Sequence, residues 1–366
     1  MDAVAASRPT GDPLALRSLD VLKAGQAASG AFIASPAFPV YHYAWLRDGA
    51  FCAHALELSG DSSAAAAFHR WAQRSIECQR PRVEAAIDAV AAGATPPFDA
   101  MPPARYTLDG LLEDNGDEPW PNFQLDGYGI WLWSFAQHLD GAGLDADARD
   151  TVELVARYLR ASWRLPCFSC WEEYDGGEHA STHAATIAGL RAASRLLGSE
   201  EHALEAEVVR QALLARCALD GRLKRGPADD RVDGSLLWLA TPFDVLPPDD
   251  PRLRSTIQAV VDDLAGPTGG LYRYLGDTYY GGGQWLLLTS SLAWHWARVG
   301  ERDRARAAQE WVRTQARDNG DLPEQVTGAA QSPDMTEPWR RRWGPVATPL
   351  LWSHAMYLIA EHALRA

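Results

Sequence analysis

The chain has 366 residues, 47% of them hydrophobic and 22% charged, an ordinary globular balance with enough length to bury a large core. Thirty-four Lys and Arg against 48 Asp and Glu leave a formal charge of −14, which excludes nucleic acid and anionic membranes as partners but poses no barrier to a neutral one. No apolar run is long enough to cross a bilayer, MDAVAASRPTGDPLALRSL lacks the pattern of a signal peptide, and five cysteines fit a reducing compartment, so a cytoplasmic protein is expected.

Taken in chain order, apolar residues recur at i, i+3, i+4 and i+7, which predicts helices over 13–28, 45–58, 62–78, 125–138, 146–163 and 179–197. The same spacing predicts helices over 200–218, 234–240, 251–264, 284–299, 301–319 and 349–365. Strand-like alternation is nearly absent. Long Gly- and Pro-rich connectors over 80–124, 165–178, 219–233, 266–283 and 321–348 separate the helices, and irregular segments of that length inside a domain tend to carry function. A dozen helices can pair into a ring of six inner and six outer members with the long loops gathered at one end. A helical solenoid satisfies the same pattern, so the loops have to decide.

The connectors concentrate aromatics beside carboxylates and arginines: YHYAWLRDGAF (41–51), WPNFQLDGYG (120–129), CWEEYDGGEH (170–179), YRYLGDTYYGGGQW (272–285) and LPEQ (322–325). Flat apolar rings next to charged hydrogen-bonding groups suit a site that stacks on a sugar ring and binds its hydroxyls, and the 15 tryptophans point the same way, although helical cores also consume Trp. Cys167 and Cys170 form a CxxC with no second pair for zinc and no βαβ context for a redox motif, so two packed thiols beside a site loop are expected. The ten histidines are scattered and EHASTH (178–183) is not the HExxH arrangement, so neither a metal nor a cofactor is expected.

The five segments, in this order, resemble glycoside hydrolase family 15, the family of glucoamylases, glucodextranases and bacterial trehalases, from about Tyr41 to the C-terminus. WLRD, WEE, RY followed by DTYYGGGQW, and LPEQ with PLLWSHA carry the likeness. The resemblance implies an all-α fold, an (α/α)6 barrel, and hydrolysis with inversion at the anomeric carbon. It implies Glu172 as general acid and Glu324 as general base, 324 − 172 = 152 positions apart in the chain, with carboxyl groups ~6.5–9.5 Å apart to admit a water between them. It further implies that Arg47 and Asp48 bind the hydroxyls of a terminal glucose, that Tyr41 lies near the reacting carbon and that Trp45 packs the pocket floor. Glu173 and Arg273 hold substrate, and Trp120 and Trp171 offer stacking surfaces. Gln124 and Asp126 frame the rim, with Asp126 equally readable as a helix cap.

One catalytic domain spanning 1–366 is expected, without an N-terminal β-sandwich or a starch-binding domain. WRRRWGP (339–345) departs from the family pattern and reads either as part of a leaving-group subsite or as a basic patch. The leading reading is an exo-acting α-glucosidase for short isomalto- or malto-oligosaccharides, leaning to the α-1,6 linkage. A trehalase and a non-catalytic carbohydrate-binding protein on the same fold are the alternatives, the latter disfavoured because both carboxylates are present.

Overall fold

A computed structural model describes residues 11–113, 120, 123–173 and 177–366. The first ten residues, 114–119, Pro121 and Asn122 of WPNFQLDGYG, and Tyr174 to Gly176 of CWEEYDGGEH lie outside the described residues. The helices are α1 (Pro13–Ala24), α2 (Leu46–Leu58), α3 (Ser62–Cys78), α4 (Arg80–Ala91), α5 (Asp126–Leu139), α6 (Ala146–Ser162) and α7 (Ala180–Leu197). They continue as α8 (Glu200–Cys217), α9 (Pro251–Leu264), α10 (Leu286–Arg298), α11 (Arg302–Thr314), α12 (Thr336–Trp343) and α13 (Leu351–Arg365).

Packing sorts these helices into two rings. In the inner ring α2 packs on α5, α5 on α7, α7 on the 310 segment Gly234–Leu239, that segment on α10, α10 on α13, and α13 again on α2. Closure of this circuit decides for the barrel over a solenoid. Outside it, α1 lies on α13, α3 on α2, α6 and α8 on α7, α9 on the 310 segment and α11 on α10. The burial pattern follows the layer. The inner α7 is buried without interruption from Ala180 to Leu190, whereas the outer α11 buries a single face (Ala305, Ala308, Gln309, Trp311 and Val312). Gly129 of α5 and Gly189 of α7 let those two inner helices approach closely: a Cβ at Gly129 would fall 2.2 Å from the Ala185 carbonyl oxygen.

The two rings also begin their helices differently. Asp12, Asp61, Asp145, Ser199 and Asp250 cap the outer helices α1, α3, α6, α8 and α9 by accepting a backbone N–H. The inner α2, α5, α7, α10 and α13 follow Trp45, Leu125, His179, Trp285 and Leu350, none of which supplies a side-chain cap. Their N-terminal N–H groups and the positive ends of their dipoles gather at one end of the barrel.

Short antiparallel ladders organise that end. β1 (Ala44–Trp45) pairs with β2 (Arg105–Tyr106), β3 (Ala218–Leu219) with β4 (Arg222–Leu223), and β5 (Gln284–Trp285) with β6 (Gln325–Val326). Several predicted elements need correction. The segment 234–240 is a 310 turn, because Pro242 supplies no N–H for a further helical bond and disfavours αR at the residue before it. The connector 80–124 contains α4, started by Pro81 in its first turn, and the connector 321–348 contains α12. Trp45, Gln284 and Trp285 are ladder residues that precede their helices.

Candidate active site

The first ladder sets Trp45 opposite Arg105 and fixes the direction in which α2 leaves it. Arg47 and Asp48 therefore sit in the first turn of an uncapped inner helix, facing the pocket end. Arg47 is 4% exposed, and its Nη1 donates to Gln124 Oε1 (2.8 Å) and Asp126 Oδ2 (3.0 Å) while Nε donates to Asp48 Oδ1 (3.1 Å). The Asp126 carboxylate is spent on this ion pair, so the cap reading of that residue fails: the cap position is Leu125. Burial drives the Asp48 carboxyl up to about 6, with Arg47 pulling it down and Glu172 and Asp126 pushing it further up.

Glu172 lies in a tight turn held by Ser169. The Ser169 hydroxyl accepts the N–H groups of Trp171 (3.2 Å) and Glu173 (3.3 Å), and the Glu172 N–H donates to the Ser169 carbonyl (2.9 Å). The turn forces Glu172 to φ 65°, a left-handed conformation that costs a non-glycine residue roughly 1–2 kcal/mol. Trp45 Nε1 (2.5 Å) and Gln124 Nε2 (3.3 Å) both donate to Glu172 Oε1. Arg47 can only donate, so its bond to Gln124 Oε1 orients that amide and leaves the NH2 group for Glu172.

Arg273 is buried over the rings of Trp171, Tyr279 and Trp285, with centroids 5.5, 5.2 and 5.0 Å away. Asp277 accepts from its Nε (2.8 Å) and Nη2 (2.6 Å), and Glu173 accepts a further bond from Nη2 (3.1 Å). Glu173 also accepts from Tyr274 and from Arg225, and the latter is paired with Asp233. Asp233 in turn receives the Trp171 indole N–H at 3.0 Å.

The third ladder, pairing Trp285 with Gln325, brings Glu324 to the start of α10, and the Glu324 N–H donates to Ala347 O (2.9 Å). Its carboxyl is buried; Oε1 accepts from the Tyr41 hydroxyl (3.1 Å), and Oε2 has no hydrogen-bond partner among the described residues. Burial raises this carboxyl to about 8, against the pull of Arg273 and of the Tyr41 and Tyr279 hydroxyls, and Glu172 adds to the rise. Tyr41 and Tyr279 share a hydrogen bond of 2.9 Å, and burial beside the carboxylates keeps both hydroxyls protonated.

All ten expected site residues (Tyr41, Trp45, Arg47, Asp48, Trp120, Trp171, Glu172, Glu173, Arg273 and Glu324) line one cavity of about 570 Å3. Trp352 lines it as well, with the Arg47 guanidinium 5.3 Å from its ring centre and Phe51 stacked on it at 5.7 Å. A model of the family described as Glycosyl hydrolases family 15 matches residues 14–303. The chain belongs to that family. It is 40% identical to the isomaltose glucohydrolase of Kribbella flavida over 359 residues, covering 96% of this chain and 92% of that one. A solved glycosidase, a glutamate-to-alanine variant in complex with glucose, is 39% identical with TM-score 0.90 and 96% of each chain covered. A bacterial glucoamylase complexed with acarbose, 21% identical, shares the fold with TM-score 0.73, over 96% of this chain and 55% of that one.

As a family 15 member the chain is a glycoside hydrolase on an (α/α)6 barrel. Sequence reasoning did not single out Tyr279, Trp285 and Trp352 on the cavity wall, although they lie inside the segments it quoted. Ser169, Arg225, Asp233 and Asp277 were missed because a residue that orients another one carries no local pattern. Cys170 lines the cavity as an uncharged packed thiol, its ionisation opposed by burial, and Cys167 is likewise buried. Trp339, Arg342 and Trp343 of WRRRWGP line the same cavity, so the segment belongs to the site. Among the described residues no cluster of His, Cys, Asp and Glu could hold a metal ion, and no helix is long and apolar enough to cross a membrane.

Proposed function

We propose that this glycoside hydrolase is an exo-acting α-glucosidase that releases β-glucose, with inversion, from the non-reducing end of short α-glucooligosaccharides, favouring the α-1,6 linkage. The observation that carries the reading is that Glu172 and Glu324 line one cavity from different loops, with no hydrogen bond between them among the described residues. Two aromatic side chains separate their contacts. Tyr41 holds Glu324, Trp45 holds Glu172, and the two rings meet edge to face at 5.7 Å. Each carboxyl thus has its own aromatic partner, which supports two separate tasks, as in a pair that works with a water between its members.

The hydrogen bonds support a separate task for each oxygen. Glu172 Oε1 receives two N–H donors and must present lone pairs to them, so the acid's proton sits on Oε2. That proton passes to the glycosidic oxygen as the bond to the anomeric carbon breaks. A water attacks the opposite face of the carbon and loses its proton to Glu324, whose Oε2 has unused lone pairs. Tyr41 donates to Glu324 Oε1 throughout and favours the ionised base. Arg47, Asp48 and Arg273 line the cavity together with Trp352 and offer charged donors and acceptors for the hydroxyls of one terminal sugar, which supports removal of single units from the chain end.

The α-1,6 preference is supported by the relative named isomaltose glucohydrolase, and glucose in the pocket by the glucose complex of the related glycosidase. One barrel is proposed to carry the whole reaction, with a neutral oligosaccharide as its partner and no cofactor. Early-time proton NMR of an isomaltose digest tests the reading. β-Glucose should appear first and mutarotate later, whereas α-glucose as the initial product overturns inversion and the role of Glu324.

A further inference from the structure

The eight-residue helix α12 buries none of its residues in the barrel core, yet it is firmly placed. Tyr280 clasps both of its ends: the Tyr280 carbonyl accepts from Thr336 Oγ1 (3.2 Å), and the Tyr280 hydroxyl donates to Gly344 O (2.9 Å). Trp339 and Trp343, four residues apart, share one face, and Arg342 lies between them in sequence with its guanidinium 4.9 Å from the Trp343 ring centre. No carboxylate pairs with Arg342 among the described residues, and its five N–H donors remain for other partners. Trp343 also reaches across the cavity mouth to Trp120, centroids 6.0 Å apart, while Trp339 packs edge-on against Tyr279 at 5.1 Å. An aromatic bridge therefore spans the rim above the two glutamates.

We propose that α12 builds the subsite for the leaving sugar, with Trp343 and Trp120 against the ring face and Arg342 donating to its hydroxyls, so that substrates with one unit beyond the scissile bond are preferred. The inference rests on the α-glucosidase reading above and adds to it the residues that select chain length. A hexose counted as about six or seven water volumes of ~30 Å3 displaces roughly 200 Å3. The 570 Å3 cavity then seats two such units, and the bridge blocks the path of a third. The partly buried Trp339 and Trp343 rest on the edge of the core and line the cavity at the same time, so the apolar face of α12 is presented to the pocket.

The test compares isomaltose, isomaltotriose and α-glucosyl fluoride, whose leaving atom is too small to touch α12, for the wild type, W343A and R342Q. Both variants should raise KM for isomaltose roughly tenfold, the effect of losing one stacked ring or one or two hydrogen bonds. Their kcat/KM on the fluoride should stay within about twofold of wild type. The ratio of kcat/KM for isomaltotriose over isomaltose, below one in the wild type, should rise in W343A as the bridge opens. Unchanged KM for isomaltose in both variants overturns the proposal. So does an equal loss on isomaltose and fluoride, including in the exposed R342Q, which has no fold to disturb and whose melting curve controls for W343A. A wild type inert to the fluoride and to every α-glucobiose overturns the α-glucosidase reading itself, a different result from either of these.

Discussion

Glu172 and Glu324 are the same residue type in opposite surroundings, and the roles proposed for them rest on that difference. Among the described residues, Glu172 meets N–H donors on one oxygen, in a left-handed turn, whereas Glu324 is buried with the Tyr41 hydroxyl on one oxygen and no partner on the other. Substituting either with Gln keeps the shape and removes the proton transfer. E172Q and E324Q should each lower kcat by ~10²–10⁴-fold with glucose binding retained, as measured by steady-state kinetics and calorimetry. Near-normal turnover in either would remove that residue from the mechanism. The burial that raises the Glu324 carboxyl also costs stability. Its folded-state pKa, about 8, lies above the ordinary carboxylate value of 4.5, so its contribution to stability is complete below about pH 4.5 and is lost as pH rises toward 8. E324Q should therefore melt like wild type at pH 4 and be the more stable protein at pH 8, by on the order of 4 kcal/mol. Equal melting temperatures at both pH values would show that Glu324 is not held in a charge-averse site.

At the scale of elements, the inner α-helices start without a side-chain cap, whereas five of the six outer helices carry one, α11 being the exception, and the inner 310 segment is capped by Asp233. Capping by Asp or Ser stabilises each capped outer helix in water by about 1 kcal/mol. The inner starts are held instead by ladders and packing, which leaves their positive ends directed at the carboxylates of the site. Two connectors use one grammar for this. Residues 26–46 and 265–286 each run through a bridge, a 310 turn, a two-residue strand and the start of an inner helix, and the two 310 turns supply Tyr41 and Tyr279, which bond to each other. The ring closes only if its members approach to the right distance, and α5 and α7 do so across glycines. Gly129→Ala would press a methyl onto the Ala185 carbonyl, so a destabilisation of ~1–3 kcal/mol is expected in denaturant titration. A variant as stable as wild type would mean that α5 and α7 slide apart at no cost.

For the whole molecule, the formal charge of −14 is spread over a chain whose proposed substrate is neutral. Long-range attraction then contributes nothing to encounter, and the charged groups in the pocket sit in close pairs that salt screens little. Between 0.05 and 0.5 M NaCl the kcat/KM for isomaltose should vary by less than about twofold. A steep fall with salt would point to a charged substrate instead.

Helical periodicity depends on residues three and four apart, so the sequence by itself determined nearly all the barrel helices, and it set the polar–aromatic character of the loops between them. It missed α4 and α12, which bury two residues and none and sit inside segments rich in Pro and Gly. The ten expected site residues were legible because aromatic, acidic and basic side chains crowd together in YHYAWLRD, WPNFQLDG, WEE, RY and LPEQ, and because that order matches a family. Only the tertiary structure decided that the helices close into a ring, since a solenoid has the same local pattern. Closure is what brings Tyr41 to Glu324, 283 positions away, and Trp45 to Glu172, 127 positions away. The proposed division of labour between the carboxyl oxygens rests on those distant contacts, and the rim built by α12 on its contacts with Tyr280, 56 and 64 positions away. A hydrogen bond is set by where its donor stands in space, and no spacing along the chain records that.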